Sequence, residues 1–270
     1  FVIYISLPAL VLLKIADLQF SINLILPVAT AYVMLALSAA VVLFLSKAFK
    51  WNRQITGSLM LLVPLGNTSF LGLPMVYAFF GNTGMPYAVL YDQLGSFLML
   101  AVYGTIILAL YSNGNQKPGA KNILKKIVTF PPFLAVAAAL LLRPIDYPLY
   151  VTEMLKVLEA TLIPLVMVAI GFQTSFKIEK EFALPLTIGI ILKLAALPAL
   201  AILLSFIFGL KGEAIQVSIF EAAMPPMVSA GALAIIGGLA PRLSAALVGF
   251  GLILSFITLP LLYHLLTFLF

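Results

Sequence analysis

The sequence predicts an all-α membrane protein of many spans, and three observations carry that expectation. First, 63% of the 270 residues are hydrophobic and only 9% are charged, whereas a water-soluble domain carries about 25% charged residues. Second, the apolar runs are continuous and reach the roughly 20 residues that a helix needs to cross a bilayer. A membrane barrel would instead alternate apolar and polar residues over about ten positions. Third, short polar or Gly/Pro clusters cut these runs at regular intervals. Mean hydropathy is accordingly +1.19, and lipid must be the solvent for most of the chain.

Nine spans follow from those cuts, at about 1–16, 22–46, 54–80, 86–111, 127–143, 152–173, 182–209, 213–238 and 241–268. The longest polar connection, 112–126, holds Pro118, Gly119 and the lysines at 117, 121, 125 and 126. It separates a first half, 1–111, from a second, 127–270. Basic residues collect in cytoplasmic loops. Lys47, Lys50, Arg53, Lys117, Lys121, Lys125, Lys126, Lys177, Lys180 and Arg242 fall on one side, against Arg143 and Lys211 on the other. The 47–53, 112–126 and 174–181 loops are therefore expected in the cytoplasm, for a chain resident in the plasma membrane.

Composition also excludes chemistry. With no cysteine, disulfides, thiol catalysis and thiolate metal sites are out of reach. The single histidine, His264, lies near the end of the last span, and no cofactor is expected. No Gly-x4-Gly-Lys loop is present, so ATP does not drive the protein. A net charge of +6 belongs to the loops and does not imply nucleic-acid binding. Tyr91-Asp92 matches the first half of an intramembrane aspartyl protease signature, but Gly249-Phe250-Gly251 is followed by Leu252 where a second aspartate is needed. An intramembrane enzyme and a channel are the alternatives to a transporter.

The chain resembles itself at an offset of 156 residues. Pro8 in SLPALVLL falls on Pro164 in LIPLVMVA, and Gly81 after MVYAFF falls on Gly237 after GALAII. Four spans of the first half match the last four of the second, leaving 127–143 unmatched. The simplest repair is one more span before Phe1, giving five plus five. An odd number of spans per repeat forces the copies into opposite orientations, the inverted repeat of secondary transporters.

In each half one span is punctured. The run 56–81 contains Pro64, Gly66, Gly72 and Pro74 around Asn67, Thr68 and Ser69; the run 213–238 contains Pro225-Pro226, preceded by Glu221 and followed by Ser229. Proline removes a helical hydrogen bond and crowds the preceding turn. In lipid the freed backbone is tolerated only where it is buried in protein or lines a cavity, and matched breaks in two halves point to a transport site. Asn67, Thr68, Ser69, Pro74, Pro225, Pro226, Ser229 and Asp92 are thus the candidate substrate-binding residues. Glu221, Asn67 and Lys193 are candidates for a coupling ion, sodium or a proton, with Glu221 the candidate sodium ligand. An ionisable group at mid-membrane costs several kcal/mol and is functional by default. Asp92 can line the cavity or hold helix packing; Lys193 can neutralise Glu221 or an anionic substrate, or snorkel to an interface. Glu153, Lys156 and Glu159 suit a solvated face or a subunit contact, and Lys14 and Asp17 a helix end.

GNTSFLGLPMVYAFFG (66–81) and AAMPPMVSAGALA (222–234) resemble the two crossover-helix signatures of the auxin efflux carrier family. SLPAL (6–10) and IPLVMVAIG (163–171) are similar to the start of its scaffold spans. The resemblance implies ten helices, of which the first is absent here, a scaffold and a crossover-helix subdomain, and often a homodimer. It implies transport of a small organic anion, an auxin-like carboxylate or a di- or hydroxycarboxylate. A fainter similarity, Glu221-x-x-Met224 followed by Pro225, is to the broken helix of bile acid sodium symporters. There the matching glutamate binds sodium, although most of that family's other polar ligands have no counterpart here.

Overall fold

A computed structural model describes residues 1–16, 25–112, 131–142, 145, 147–162, 164–165 and 180–270. Asp17, Lys177, Arg143, most of the 112–126 linker, most of the 174–181 loop and most of the 163–171 motif lie outside the described residues. The helices, numbered in chain order, are α1 (Leu7–Ala16), α2 (Ile25–Ala48), α3 (Arg53–Leu62), α4 (Leu73–Leu90), α5 (Thr105–Tyr111) and α6 (Pro131–Leu142). They continue with α7 (Leu149–Ala160), α8 (Ala183–Ile191), α9 (Leu197–Ile207), α10 (Glu213–Ala222), α11 (Val228–Ile236) and α12 (Pro241–Leu269). Among the described residues there is no strand, only one isolated antiparallel bridge.

Among the described residues four helical stretches are long and apolar enough to cross a membrane: Ile25–Ala48, Thr68–Tyr111, Lys180–Ile207 and Pro241–Leu269. Of these, Thr68–Tyr111 has 44 residues, about 66 Å at 1.5 Å per residue and far beyond the roughly 30 Å of hydrocarbon. The chain breaks inside it at Gly81, whose φ of 65° and ψ of −156° are open to glycine and strained for other residues. This is the boundary the sequence places between its third and fourth spans. The punctured runs are not continuous helices. Each is two short ones, α3 then 68–80, and α10 then α11, joined by extended backbone.

One wide turn appears where Pro198 takes away a backbone donor. Pro198 has no N–H for the Leu194 carbonyl, and before it residues Leu192–Ala196 form a π-helical turn in which Leu197 N bonds to Leu192 O. A second π-turn, Tyr91–Phe97, carries Asp92. Such insertions reset the face a side chain points to and recur at functional sites.

The deepest part of the molecule surrounds the two breaks. Leu59, Leu61, Leu62, Leu65, Leu71 and Leu73 from the first, and Ile219, Phe220 and Met224 from the second, are among the largest wholly buried side chains of the described residues. The half-helix α10 packs on α2 and α4, while α3 packs on α11 and α12. Away from this centre α1 packs against α6 and α7. A cleft of about 460 Å³ opens between α1, α7 and the start of α4.

Candidate functional site

Proline chemistry dictates what each break must solve. Pro64 has no N–H to offer the Met60 carbonyl four residues back, so α3 ends one turn early. The Tyr103 hydroxyl donates to Met60 O at 2.7 Å instead. At the second break Pro225 and Pro226 remove both donors within reach of the Ala222 carbonyl. Here the Lys193 ammonium donates to Ala222 O at 3.3 Å. An unpaired carbonyl in a dry interior costs about 1–3 kcal/mol, so both substitutes follow from the missing N–H groups.

The extended segments then satisfy each other. Asn67 N donates to Pro225 O at 2.8 Å, Met227 N donates to Leu65 O at 3.0 Å, and Gly66 faces Pro226 in the antiparallel bridge. Asn67 and Pro226, from opposite halves of the chain, are thus neighbours across this pairing. Beyond it Leu71 N and Gly72 N both donate to Asn67 O, at 3.2 and 2.9 Å, and the helix restarts through the wide turn Thr68–Gly72. On α12, Gly251 makes room for the prolines: a Cβ there would lie 2.5 Å from Pro226 Cδ.

Two buried acids flank the pairing, in opposite conditions. Asp92 is fully enclosed and fully engaged. Its Oδ1 accepts from the Thr68 and Ser69 hydroxyls, each at 2.5 Å, and its Oδ2 accepts from Gln93 Nε2 at 2.5 Å. The carboxylate therefore pins the first turn of the restarted half-helix, where the helix dipole also favours a negative charge. Glu221 is equally enclosed, yet neither carboxylate oxygen has a hydrogen-bond partner. It packs on Gly72, where a Cβ would come within 2.8 Å of Oε1 and closer still to Oε2. Asn67 Nδ2 and Gln93 Oε1 are also buried and unpaired. Asp92 and Lys193 both lie within electrostatic range of Glu221.

The structure thus gathers Asn67, Thr68, Ser69, Asp92, Lys193, Glu221, Pro225 and Pro226 around one point. Lys193 is 3% exposed and bonded inward, which rules out snorkelling. Pro74 stands apart, at the start of α4, lining the cleft with Tyr77 and Leu10. Ser229 is half-buried in the first turn of α11. Glu153 and Lys156 form an exposed ion pair at 2.8 Å on α7, and Lys156 and Glu159 border the same cleft. His264 stacks edgewise near Tyr263 and takes no part in the pairing.

Sequence reading missed Gln93 and Tyr103, and it named Gly72 as part of the break but not as a neighbour of Glu221. Gln93 was marked only by its place beside Asp92, and Gly72 only by lying between Gly66 and Pro74. Nothing in the sequence pairs Tyr103 with a carbonyl 43 residues earlier. As for sodium, the ion takes several oxygen ligands, and the site offers it little. The Glu221 oxygens are open, but both Asp92 oxygens are engaged and the orphan Ala222 carbonyl is held by an ammonium. Among the described residues no three His, Cys, Asp or Glu side chains gather to hold a metal.

A helical chain of membrane-spanning character whose buried centre is a pair of broken helices has an arrangement suited to membrane transport. Sequence comparison gives the family. A profile described as membrane transport protein matches residues 1–263, and the chain belongs to that family, the one that holds the auxin efflux carriers. An uncharacterised transporter of Methanothermobacter thermautotrophicus is 27% identical over 263 residues, covering 96% of this chain and 85% of its own length. One from Methanocaldococcus jannaschii is 29% identical over 233 residues, covering 83% of this chain and 74% of its own.

Proposed function

We propose that this chain is a secondary active transporter that moves a small organic anion across the plasma membrane by alternating access. The cargo is a carboxylate, auxin-like or of the di- or hydroxycarboxylate class. The observation that carries the reading is the antiparallel pairing of two broken helices with an enclosed, unpartnered Glu221 beside it. A carboxylate so placed is kept for something that comes and goes. Glu221 is the coupling group, and a proton or a sodium ion is the cation it exchanges. Asn67, Thr68, Ser69, Pro74, Pro225, Pro226, Ser229 and Asp92 form the anion's path, with the restarted half-helix presenting its positive dipole end.

The inverted five-helix repeat is part of the same reading, with nine spans here and the two broken ones as crossover helices. What supports it is where the half-helices begin. Arg53, at the start of α3, donates through Nε and Nη2 to Leu110 O at the end of α5. Glu213, at the start of α10, accepts from Thr83 Oγ1 at 2.6 Å, just past the Gly81 break. These contacts suit spans that enter from different ends, and the basic residues of loop 47–53 favour a cytoplasmic position for it and for the end of α5. A homodimer is the assembly expected from the family resemblance.

Uptake in proteoliposomes tests this. The expected result is saturable carboxylate flux that follows an imposed cation gradient, and whose gradient dependence falls at least about tenfold, about 1.4 kcal/mol of coupling, in Glu221→Gln. Non-saturating flux would assign a channel. Saturable flux with unchanged ion dependence in the variant would make Glu221 structural.

A further inference from the structure

A lysine side chain reaches the backbone at the second break, and its place there bears on what the site can bind. The Ala222 carbonyl ends the half-helix α10, where the helix dipole is negative and two consecutive prolines leave no N–H to cover it. Such a pole, with a carboxylate one residue away, is where an unwound transporter helix coordinates a coupling metal ion. Lys193 is 3% exposed and has reached this pole from another helix, α8–α9, through the π-turn that Pro198 imposes. Its Nζ lies 3.3 Å from Ala222 O. It also sits 3.2 Å from the position of a Cβ at Gly66, a position that is itself 3.5 Å from Glu221 O. The ammonium therefore stands between the two extended segments, against both. Glu221 keeps its own oxygens free of hydrogen bonds, within electrostatic range of that ammonium.

We infer that Lys193 is a tethered cation occupying the place of a metal ion at the second break, and that the site is consequently blind to sodium. The inference rests on reading the breaks as the transport site, and it removes sodium from the two candidate coupling ions. An ammonium donates hydrogen bonds to carbonyls and balances a carboxylate as a bound monovalent ion does, but it cannot dissociate. Neutralising the side chain leaves the Ala222 carbonyl without its donor, next in sequence to a buried acid whose oxygens have no hydrogen-bond partner, which is a sodium site in outline.

The test uses purified protein in detergent or nanodiscs, with sodium chloride exchanged for choline chloride at equal ionic strength and no substrate present. The wild type should melt at one temperature in both salts. Lys193→Met should melt lower in choline and rise in sodium, saturably, while Lys193→Arg should remain insensitive. A saturable sodium-dependent rise in the wild type overturns the inference, and so does a Lys193→Met protein that ignores sodium. If Lys193→Met does not fold, Lys193→Met/Glu221→Gln decides. A double variant that folds and ignores sodium shows that Lys193 serves as the counter-charge, whereas one that still fails shows a packing role and overturns it. Because the measurement contains no carboxylate, its failure leaves the transport reading standing, and absent carboxylate flux would not explain it away.

Discussion

The two breaks share a backbone solution and differ in the side chains that complete it. At the first, a neutral hydroxyl covers the carbonyl that Pro64 orphans, and the adjacent acid, Asp92, accepts from three donors. At the second, an ammonium covers the carbonyl that Pro225-Pro226 orphan, and the adjacent acid, Glu221, accepts from none. At the first break both the orphaned carbonyl and the acid have fixed partners, although Asn67 Nδ2 and Gln93 Oε1 do not. The second is held open in charge. A buried acid deprived of hydrogen bonds contributes little or nothing to stability, so the asymmetry sets a fixed joint against the break where the proposed coupling group lies.

The sharpest way to break this comparison is to remove charge from each acid in turn and measure stability. Asp92→Asn should cost about 3 kcal/mol, because hydrogen bonds to a charged acceptor become bonds to a neutral amide and the new amino group faces the Gln93 donor. Glu221→Gln loses no hydrogen bond and should cost less, about 1–2 kcal/mol, because Lys193 loses a counter-charge but keeps its bond to Ala222 O. Denaturation curves in a fixed detergent compare them, and equal losses would erase the distinction. Next in size is Gly72→Ala. Its methyl would press on the Glu221 carboxylate, and overpacking of this kind costs about 1–3 kcal/mol. The Gly72→Ala/Glu221→Ala double variant should regain part of that loss; strict additivity would mean that the two residues do not meet. The smallest effect belongs to the first break. Tyr103→Phe leaves the Met60 carbonyl uncovered and should cost about 1 kcal/mol, with carboxylate uptake otherwise intact. A Tyr103→Phe protein that folds normally but loses ion-dependent transport would show that the first break also carries function.

Much of this was legible beforehand, and the reason is local. Apolar run lengths set the class, and lipid allows such runs little besides helix. Pro64, Pro225 and Pro226 placed the breaks because a missing N–H acts on the residue four positions back, wherever the chain goes. Gly81 marked a span boundary for an equally local reason, its positive φ. Asn67, Thr68, Ser69 and Glu221 stood out because polar residues inside an apolar run must be accounted for where they stand.

What the sequence did not decide was partnership. Asp92 and Lys193 each had two readings from sequence, and the choice between them depended on residues 23 to 29 positions away. Tyr103 carried no sign of its carbonyl. The pairing of Asn67 with Pro225, 158 residues on, was suggested only by the symmetry of the two halves. Sequence determines which backbone groups lose their donors and which charges must be buried. Only the tertiary structure decides which hydroxyl, ammonium or facing strand of backbone arrives to compensate them, because those groups are brought in by helices whose positions depend on the packing of the whole bundle. By that packing Asp92 received three donors and Glu221 none.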